Sequence, residues 1–250
     1  MKKNLSAFPP EWSLAPETVM LESGEVHVWR VESDLSAVRI ADLGKTLAPD
    51  ERIRADRYKF QKDHDHFIVA RAALREILSR YLHESPGRLR FDYDLFGKPS
   101  LAGGNGDGLR FNVSHSHEIV LIAVTRGRDI GVDIEKIRPD MPTVDIAERF
   151  FSRLEVGALR ALSTDQQAEG FFNGWTRKEA YLKARGKGLS MPLDQFVVSL
   201  SPGKPARLLK AEGDPRESSR WSMWDLRAGP DYAAALVVAG QDCRLRCWQW

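Results

Sequence analysis

The sequence has few cysteines, no long apolar run and almost no net charge, and each shortage excludes something. Its two cysteines, Cys243 and Cys247, form a C-x-x-x-C pair without histidine or cysteine companions, a poor zinc signature. If that end of the chain is a strand, positions four apart share a face, so both are expected in the core. So few cysteines fit a reducing compartment. No stretch approaches the ~20 apolar residues that span a bilayer. The chain opens Met1-Lys2-Lys3 but soon reaches Pro9, Pro10 and Glu11 with no apolar segment between, so no signal peptide is expected and the protein is read as cytoplasmic. Thirty-seven basic residues against 35 acidic ones leave a net charge of +2. That gives no global basic field, so neither nucleic acid nor a membrane is expected as a partner.

What is present is an ordinary globular composition, 42% hydrophobic over 250 residues, enough for one large domain or two small ones. Residues 25–31 alternate apolar and polar and read as a strand. Residues 48–83 read as a long helical region, with a break expected near His64 because 61–66 is wholly polar. Residues 86–108 are rich in glycine and proline, with a short strand candidate at 89–93 and a loop at Gly103-Gly104-Asn105-Gly106. Strands are expected at 110–113, 118–125 and 129–134, with Ser114–His117 as the turn between the first two. Helices at 143–151, 153–162 and 166–185 follow. Strands near 195–200, 206–210, 220–226, 232–238 and 243–249 complete the chain. No internal sequence repeat or low-complexity segment is visible. The order strand, helices, strands occurs twice, which suggests an α+β protein of two halves, 1–126 and 127–250.

Asp133 and Glu135 are two apart in an otherwise apolar strand, so they face the same side. Two neighbouring carboxylates repel unless something positive lies between them, and a hard divalent cation answers that need. A solvent-facing strand edge is the alternative. In Trp175-Thr176-Arg177-Lys178-Glu179-Ala180-Tyr181-Leu182-Lys183, helical spacing puts Trp175, Glu179 and Lys183 in one row beside Phe171 and Phe172. A surface Glu–Lys pair would look the same. The cluster Asn112-Val113-Ser114-His115-Ser116 at a strand end suits phosphate oxygens, or a hydrogen-bonded turn. Gly97-Lys98-Pro99 is a loop lysine or a turn, and Gly186-Lys187-Gly188-Leu189 reads as a helix stop. Arg71 and Arg75 share a helix face and, with Arg54, suit phosphate, or a solvated surface.

Taken in order, Gly97-Lys98-Pro99, FNVSHS at 111–116, GVDIEKIRP at 131–139, RFF at 149–151 and WTRKEAYLKARGKGLSMPL at 175–193 resemble the Sfp-type 4′-phosphopantetheinyl transferases. The resemblance covers roughly residues 47–196. It implies a pseudo-twofold pair of similar α+β subdomains with the coenzyme between them: adenosine and 3′-phosphate contacts in 1–126, metal site and catalytic helix in 127–250. The implied reaction moves the 4′-phosphopantetheine arm of coenzyme A to a serine of an apo acyl or peptidyl carrier protein and releases adenosine 3′,5′-bisphosphate. The implied cofactor is Mg²⁺, with Mn²⁺ as a substitute, on Asp133, Glu135 and Glu179.

Carried over residue by residue, Glu179 also matches the base for the carrier serine, with a water as the other proton acceptor. Lys183 matches the lysine on the coenzyme pyrophosphate, and Glu179 and Lys183 are the implied catalytic pair. His115 matches the histidine near the 3′-phosphate, with Ser114 beside it. Lys98 and Pro99 match the motif lining the adenosine end, and Arg54 and Arg71 match coenzyme-binding helix positions. Asp133, Glu179 and Lys183 thereby count as coenzyme contacts too. Many relatives have glycine after S-H-S, whereas this chain has His117, which is read as a loop variation. Residues 140–165 are the candidate carrier surface, and a monomer is expected. Two other readings use the same residues: a metal-dependent hydrolase of the pyrophosphate of coenzyme A or a nucleotide, and a non-catalytic carrier-binding module.

Overall fold

Alternating apolar positions on strands and two long, largely buried helices build a layered α+β molecule. The computed structural model describes residues 11–94, 97–104, 108–186, 191–211 and 213–250. The first part runs β1 (Ser13–Leu14), β2 (Glu25–Glu32), α1 (Ala37–Gly44), α2 (Pro49–Ala55), α3 (Gln61–Leu82), β3 (Phe91–Tyr93), β4 (Pro99–Leu101), β5 (Leu109–Ser116) and β6 (Ile119–Arg126). The second runs β7 (Ile130–Lys136), α4 (Thr143–Phe150), α5 (Arg153–Arg160), α6 (Thr164–Arg185), β8 (Phe196–Val198), β9 (Leu208–Ala211), α7 (Glu217–Arg220), β10 (Trp221–Asp225), β11 (Tyr232–Ala239) and β12 (Arg244–Gln249).

One sheet has the order β1-β12-β2-β6-β5 and another β10-β11-β7. Each half contributes the same motif. A first strand is followed by helices ending in a 22-residue helix, then by a separate two-stranded sheet (β3-β4 or β8-β9), then by two strands of which the second lies between its partners. In the first half that centre is β6, antiparallel to β2 and β5. In the second it is β11, antiparallel to β7 and β10. This is the pseudo-twofold pair that the motif order implied. The last strand, β12, pairs parallel with β2, so the first sheet takes in chain from beyond residue 126.

Strand alternation assigns the cores. Trp29, Val31, Val120, Ile122 and Val124 pack with Leu74, Ile77 and Leu78 of α3. Val26, Val28, Leu121 and Ala123 turn to the opposite face and meet Val132, Ile134, Leu236 and Val238 of the other sheet. Ala235 and Val237 face Ala180 and Ala184 of α6. The layers are therefore α3, sheet, sheet, α6. Cys243 and Cys247 are free, buried thiols in the inter-sheet core. No described helix is long and apolar enough to cross a membrane.

Two expectations need correction. The helical region breaks at 56–60, not at His64. The polar run 61–66 is the surface-lying start of α3, not an interruption. Ser114, His115 and Ser116 are strand, and the turn is only His117-Glu118. Their turn preference loses to partners on the neighbouring strand, described below. Helix α1 was not anticipated; Ser36 caps it by accepting from the Arg39 amide. Gly186 ends α6 in the left-handed conformation at φ 64°, as the helix stop required, while Lys187, Gly188, Leu189 and Asn105-Gly106 lie outside the described residues.

Gly131 decides how α6 sits. A Cβ there would lie 2.1 Å from the Ala180 carbonyl oxygen and 2.4 Å from the Ala184 amide of α6. Both are backbone atoms and cannot swing aside, so only glycine lets the helix rest on β7. Gly131→Ala is expected to destabilise the fold by about 3 kcal/mol and to cost activity beyond that loss, because α6 is pushed off β7. Urea unfolding and turnover of the folded fraction measure the two effects separately.

Candidate active site

The site forms where β7, β5 and α6 meet. On β7, Val132 and Ile134 point into the inter-sheet core, which turns Gly131, Asp133 and Glu135 towards α6. The one close approach at Gly131 brings Glu179 and Lys183 of α6 to those carboxylates. Lys183 Nζ lies 2.7 Å from Asp133 Oδ1 and also donates to Ser114 Oγ at 2.9 Å and to the Val132 carbonyl at 3.2 Å. Its ion pair is thus with Asp133 across the helix–strand contact, and the surface Glu179–Lys183 reading is set aside.

The edge of β7 next to β5 carries no backbone partner strand. Side chains of β5 supply the bonds instead. Asn112 Oδ1 accepts from the Val132 amide at 2.8 Å, and Ser116 Oγ accepts from the Lys136 amide at 3.1 Å. Ser114 Oγ donates to Asp133 Oδ1 at 2.8 Å, and Ser116 Oγ to Glu135 Oε2 at 3.1 Å. Asn112, Ser114 and Ser116 are alternate strand residues on one face, so one polar stripe both seals an open edge and orients both carboxylates. The sequence placed Asn112 and Ser116 in a phosphate-binding or turn cluster and not on the edge of β7. The signal that finds them is the N-x-S-x-S alternation, once those residues are read as strand.

The carboxylates are crowded. Burial, then Asp133, raises Glu179 above the ordinary glutamate value of 4.5, and the same two causes raise Glu135. Asp133 Oδ2 is buried with no hydrogen-bond partner. Among the described residues, no three His, Cys, Asp or Glu groups stand gathered to hold an ion. The donor chemistry nonetheless fits a hard divalent cation: three oxygen-donor side chains, mutually repelling, with one carboxylate oxygen unsatisfied.

Two clefts adjoin this cluster. One of about 370 Å³ is lined by Lys98, Pro99, Asn112, Glu179 and Lys183. The other, of about 600 Å³, is lined by Arg54, Arg71, Pro99, His115 and His117 among others. Gly97, Pro99 and Val113 belong to both. Burial, then Lys183 and His66, holds His115 below its ordinary value. Lys98 donates to the Lys183 carbonyl at 2.7 Å, tying the Gly97-Lys98-Pro99 loop to the end of α6. Arg71 and Arg75 are buried, not solvated. They share Glu51 at 3.1 and 2.7 Å, and Arg71 also donates to the Tyr93 hydroxyl. Arg54 stacks over Phe67. Tyr58, Lys62, His66 and Tyr93 line the larger cleft and were not singled out from the sequence.

Arg177, Lys178 and Tyr181 of α6 have structural partners. Arg177 makes two bonds to Asp225 at 2.9 and 2.7 Å. Lys178 is fully buried against Glu155 at 2.8 Å and the Leu193 and Phe196 carbonyls. Tyr181 donates to Glu217.

A family model described as the 4′-phosphopantetheinyl transferase superfamily matches residues 129–237. A second, described as the N-terminal part of a 4′-phosphopantetheinyl transferase, matches 36–127. The 4′-phosphopantetheinyl transferase HetI of Nostoc sp. is 38% identical over 96% of this chain and 98% of its own. The 4′-phosphopantetheinyl transferase Sfp of Bacillus subtilis is 34% identical over 62% of this chain and 66% of its own. The L-aminoadipate-semialdehyde dehydrogenase-phosphopantetheinyl transferase of Xenopus laevis is 28% identical over 79% and 70%. This chain belongs to the 4′-phosphopantetheinyl transferase superfamily. It is a 4′-phosphopantetheinyl transferase.

The raised carboxyls fix a sign. A carboxyl whose folded value lies above 4.5 binds more proton when folded, so the fold loses stability as pH rises through that window. Glu179→Gln removes the buried charge. In metal-free buffer it is expected to raise the thermal midpoint at pH 8 by about 2–4 °C, with the gain vanishing near pH 4.5. A midpoint that falls at pH 8 counts against the crowding.

Proposed function

We propose that this enzyme transfers phosphopantetheine with Asp133, Glu135 and Glu179 as Mg²⁺ ligands and Glu179 and Lys183 as its reacting pair. The observation that carries the assignment is the Asp133–Lys183–Ser114 cluster, in which the two most specific sequence motifs meet at hydrogen-bond distance. When bound, Mg²⁺ supplies positive charge to the pyrophosphate and stabilises the departing bisphosphate. Lys183 adds an ammonium at the same place. Glu179 is held beside it to take the proton of the carrier serine, directly or through a water. Arg54, Arg71, Lys98, Pro99, Ser114 and His115 form the walls that bind and orient the coenzyme. In this reading the halves 1–126 and 127–250 hold the adenosine end and the reacting end respectively, within a monomer in the cytoplasm.

The acceptor is an apo acyl or peptidyl carrier protein. The surface next to Glu179 suits it. Trp175 lies one helical turn before Glu179, Phe150 is 47% exposed and packs edge-on to Trp175, and Arg138 and Arg149 lie close by in sequence. That mixture of aromatic and basic groups complements an acidic carrier helix; Arg149 and Phe150 lie within the 140–165 region expected from sequence, and Arg138 and Trp175 lie outside it.

Incubation with coenzyme A, Mg²⁺ and a panel of apo carriers is expected to add the mass of one phosphopantetheine arm to the carrier. Adenosine 3′,5′-bisphosphate should appear only with the carrier present. Its release without carrier would mark a hydrolase, and carrier binding without turnover a recognition module. Asp133→Ala and Glu179→Gln are each expected to lower kcat by roughly 10²–10⁴-fold. Chelation should abolish turnover and added Mg²⁺ restore it.

A further inference from the structure

The junction of β5 and β7 has a second fastening that the roles above leave unused. Glu118 is the last residue of the β5–β6 turn, two positions after Ser116. Its carboxylate is shared by elements of both halves. Oε2 accepts from the Tyr232 hydroxyl of β11 at 3.0 Å and lies 4.0 Å from the Lys136 ammonium of β7. Oε1 lies 3.4 Å from the Lys62 ammonium of α3. The Glu118 carbonyl accepts from the Ser33 amide at 2.8 Å, which fixes the turn to the chain leaving β2. A hairpin needs none of these side-chain bonds to reverse the chain.

The partners differ in weight. Both ammonium groups are partly exposed, and ion pairs of that kind contribute little. The Tyr232 bond is of another kind, with a charged acceptor and a neutral donor. The Tyr232 ring packs against the inter-sheet core that includes Ile119, and a Cβ on Gly229 would stand 3.2 Å from it. Packing therefore fixes where the hydroxyl points. That hydroxyl draws the Glu118 carboxyl down to about 2, while burial, then Glu118, pushes the tyrosine up to about 12. What the bond holds lies beside the site. Lys136 pairs with Tyr232 across β7 and β11, and Glu135 with Ala233. Ser116 Oγ accepts from the Lys136 amide and donates to Glu135, each at 3.1 Å. Asn112 and Ser114 bond the far end of the junction, at Val132 and Asp133. Glu118 closes the near end, at Glu135 and Lys136.

We infer that Glu118 is a positioning residue for the transfer reaction: bonded to Tyr232, it holds the β5–β6 turn against the end of β7 and so keeps Ser116 on Glu135. The inference rests on the role proposed for Glu135 and names what keeps that carboxylate in place. Glu118 acts through Ser116, so its loss affects the reacting geometry more than coenzyme binding. Tyr232→Phe removes one hydroxyl and keeps the packed ring, so that variant is expected to fold.

The test compares the parent with Glu118→Ala and Tyr232→Phe, each alone and combined with Ser116→Ala. Amide hydrogen exchange in metal-free protein without coenzyme is read at Lys136, with the Val132 amide at the far end as the control. KM for coenzyme A and kcat are read from carrier mass. In both single variants the Lys136 amide is expected to exchange about tenfold faster while Val132 is unmoved. kcat should fall about tenfold with KM within about twofold of the parent. Once Ser116 is alanine, either substitution should lower kcat by less than about twofold further. If Glu118→Ala does not fold, Tyr232→Phe decides alone. An unchanged Lys136 amide, equal acceleration at Lys136 and Val132, an unchanged kcat, or losses that multiply with Ser116→Ala overturn the inference. If the parent loads no carrier, the transfer reading has failed, and exchange at Lys136 relative to Val132 still decides whether Glu118 positions this end of the junction.

Discussion

The edge of β7 is the constraint on which the rest of the molecule depends. A strand edge cannot be buried with open amides and carbonyls, because each unpaired group costs about 1–3 kcal/mol. Most proteins extend the sheet or expose the edge. Here the strand that would extend it, β5, already ends the other sheet, so the two sheets meet edge beside edge and side chains make the connection. Asn112 and Ser116 take the β7 amides, while Ser114 and Ser116 reach the two carboxylates. The halves are joined by the same bonds that orient the site. Any shift of one half against the other therefore moves Asp133 and Glu135 relative to their serines, which gives a mechanical reason for a single rigid seam.

Helix α6 is held as tightly on its other side. A helix buried between a sheet and α4–α5 has no solvent face on which to leave charge, so every polar residue in its central motif needs a partner. Arg177 finds Asp225, Lys178 finds Glu155 and two carbonyls, and Tyr181 finds Glu217. Glu155 does double duty, since it also closes the capping box of α5 with Ser152 and accepts from the Val198 amide. Removing one member of such a pair leaves an uncompensated buried charge, typically 3–5 kcal/mol. The motif thus separates into two sets. Arg177, Lys178 and Tyr181 fix the rotation of the helix, and Glu179 and Lys183 are what that rotation delivers to β7.

How much of this could be read in the sequence follows from whether the information is local. The strand alternation at 129–134 and the helical spacing at 175–183 placed Asp133, Glu135, Glu179 and Lys183 on the right elements and faces. The strands of the second half fell within a few residues of where alternation put them. What could not be read was which elements meet. Ser114 and Ser116 look like turn residues until β7 is beside them. Arg71 and Arg75 look like a solvated face until Glu51, twenty residues earlier, folds underneath. Lys98 looks like a loop cation until it is found on the Lys183 carbonyl. Even Gly131 gave no signal of its own, since a glycine in a strand reads as a weakness unless a helix backbone is known to lie on it. In each case the missing fact is a long-range partner, which periodicity cannot supply.

Charge completes the argument for the site. Three carboxylates face one ammonium in this cluster, and that ammonium is bonded to Asp133. Asp133 is thereby answered on one oxygen and left open on the other. Glu135 is bonded to the neutral Ser116 hydroxyl, and the positive charge of Arg138 and Lys183 does not offset its burial and Asp133; at Glu179 Lys183 likewise does not offset burial and the other two carboxylates. The upward push on both glutamates follows directly: the fold provides less positive charge than the cluster needs. Arg138 offsets part of that deficit at Glu135, but the other arginines nearby are taken up elsewhere. Arg177 is turned to Asp225, and Arg71 and Arg75 are taken up by Glu51. The deficit is therefore built in. An anionic coenzyme entering beside it would meet repulsion unless a cation came with it. Under the proposed metal assignment, metal and coenzyme binding would reinforce each other, since each would supply the charge that the other needs.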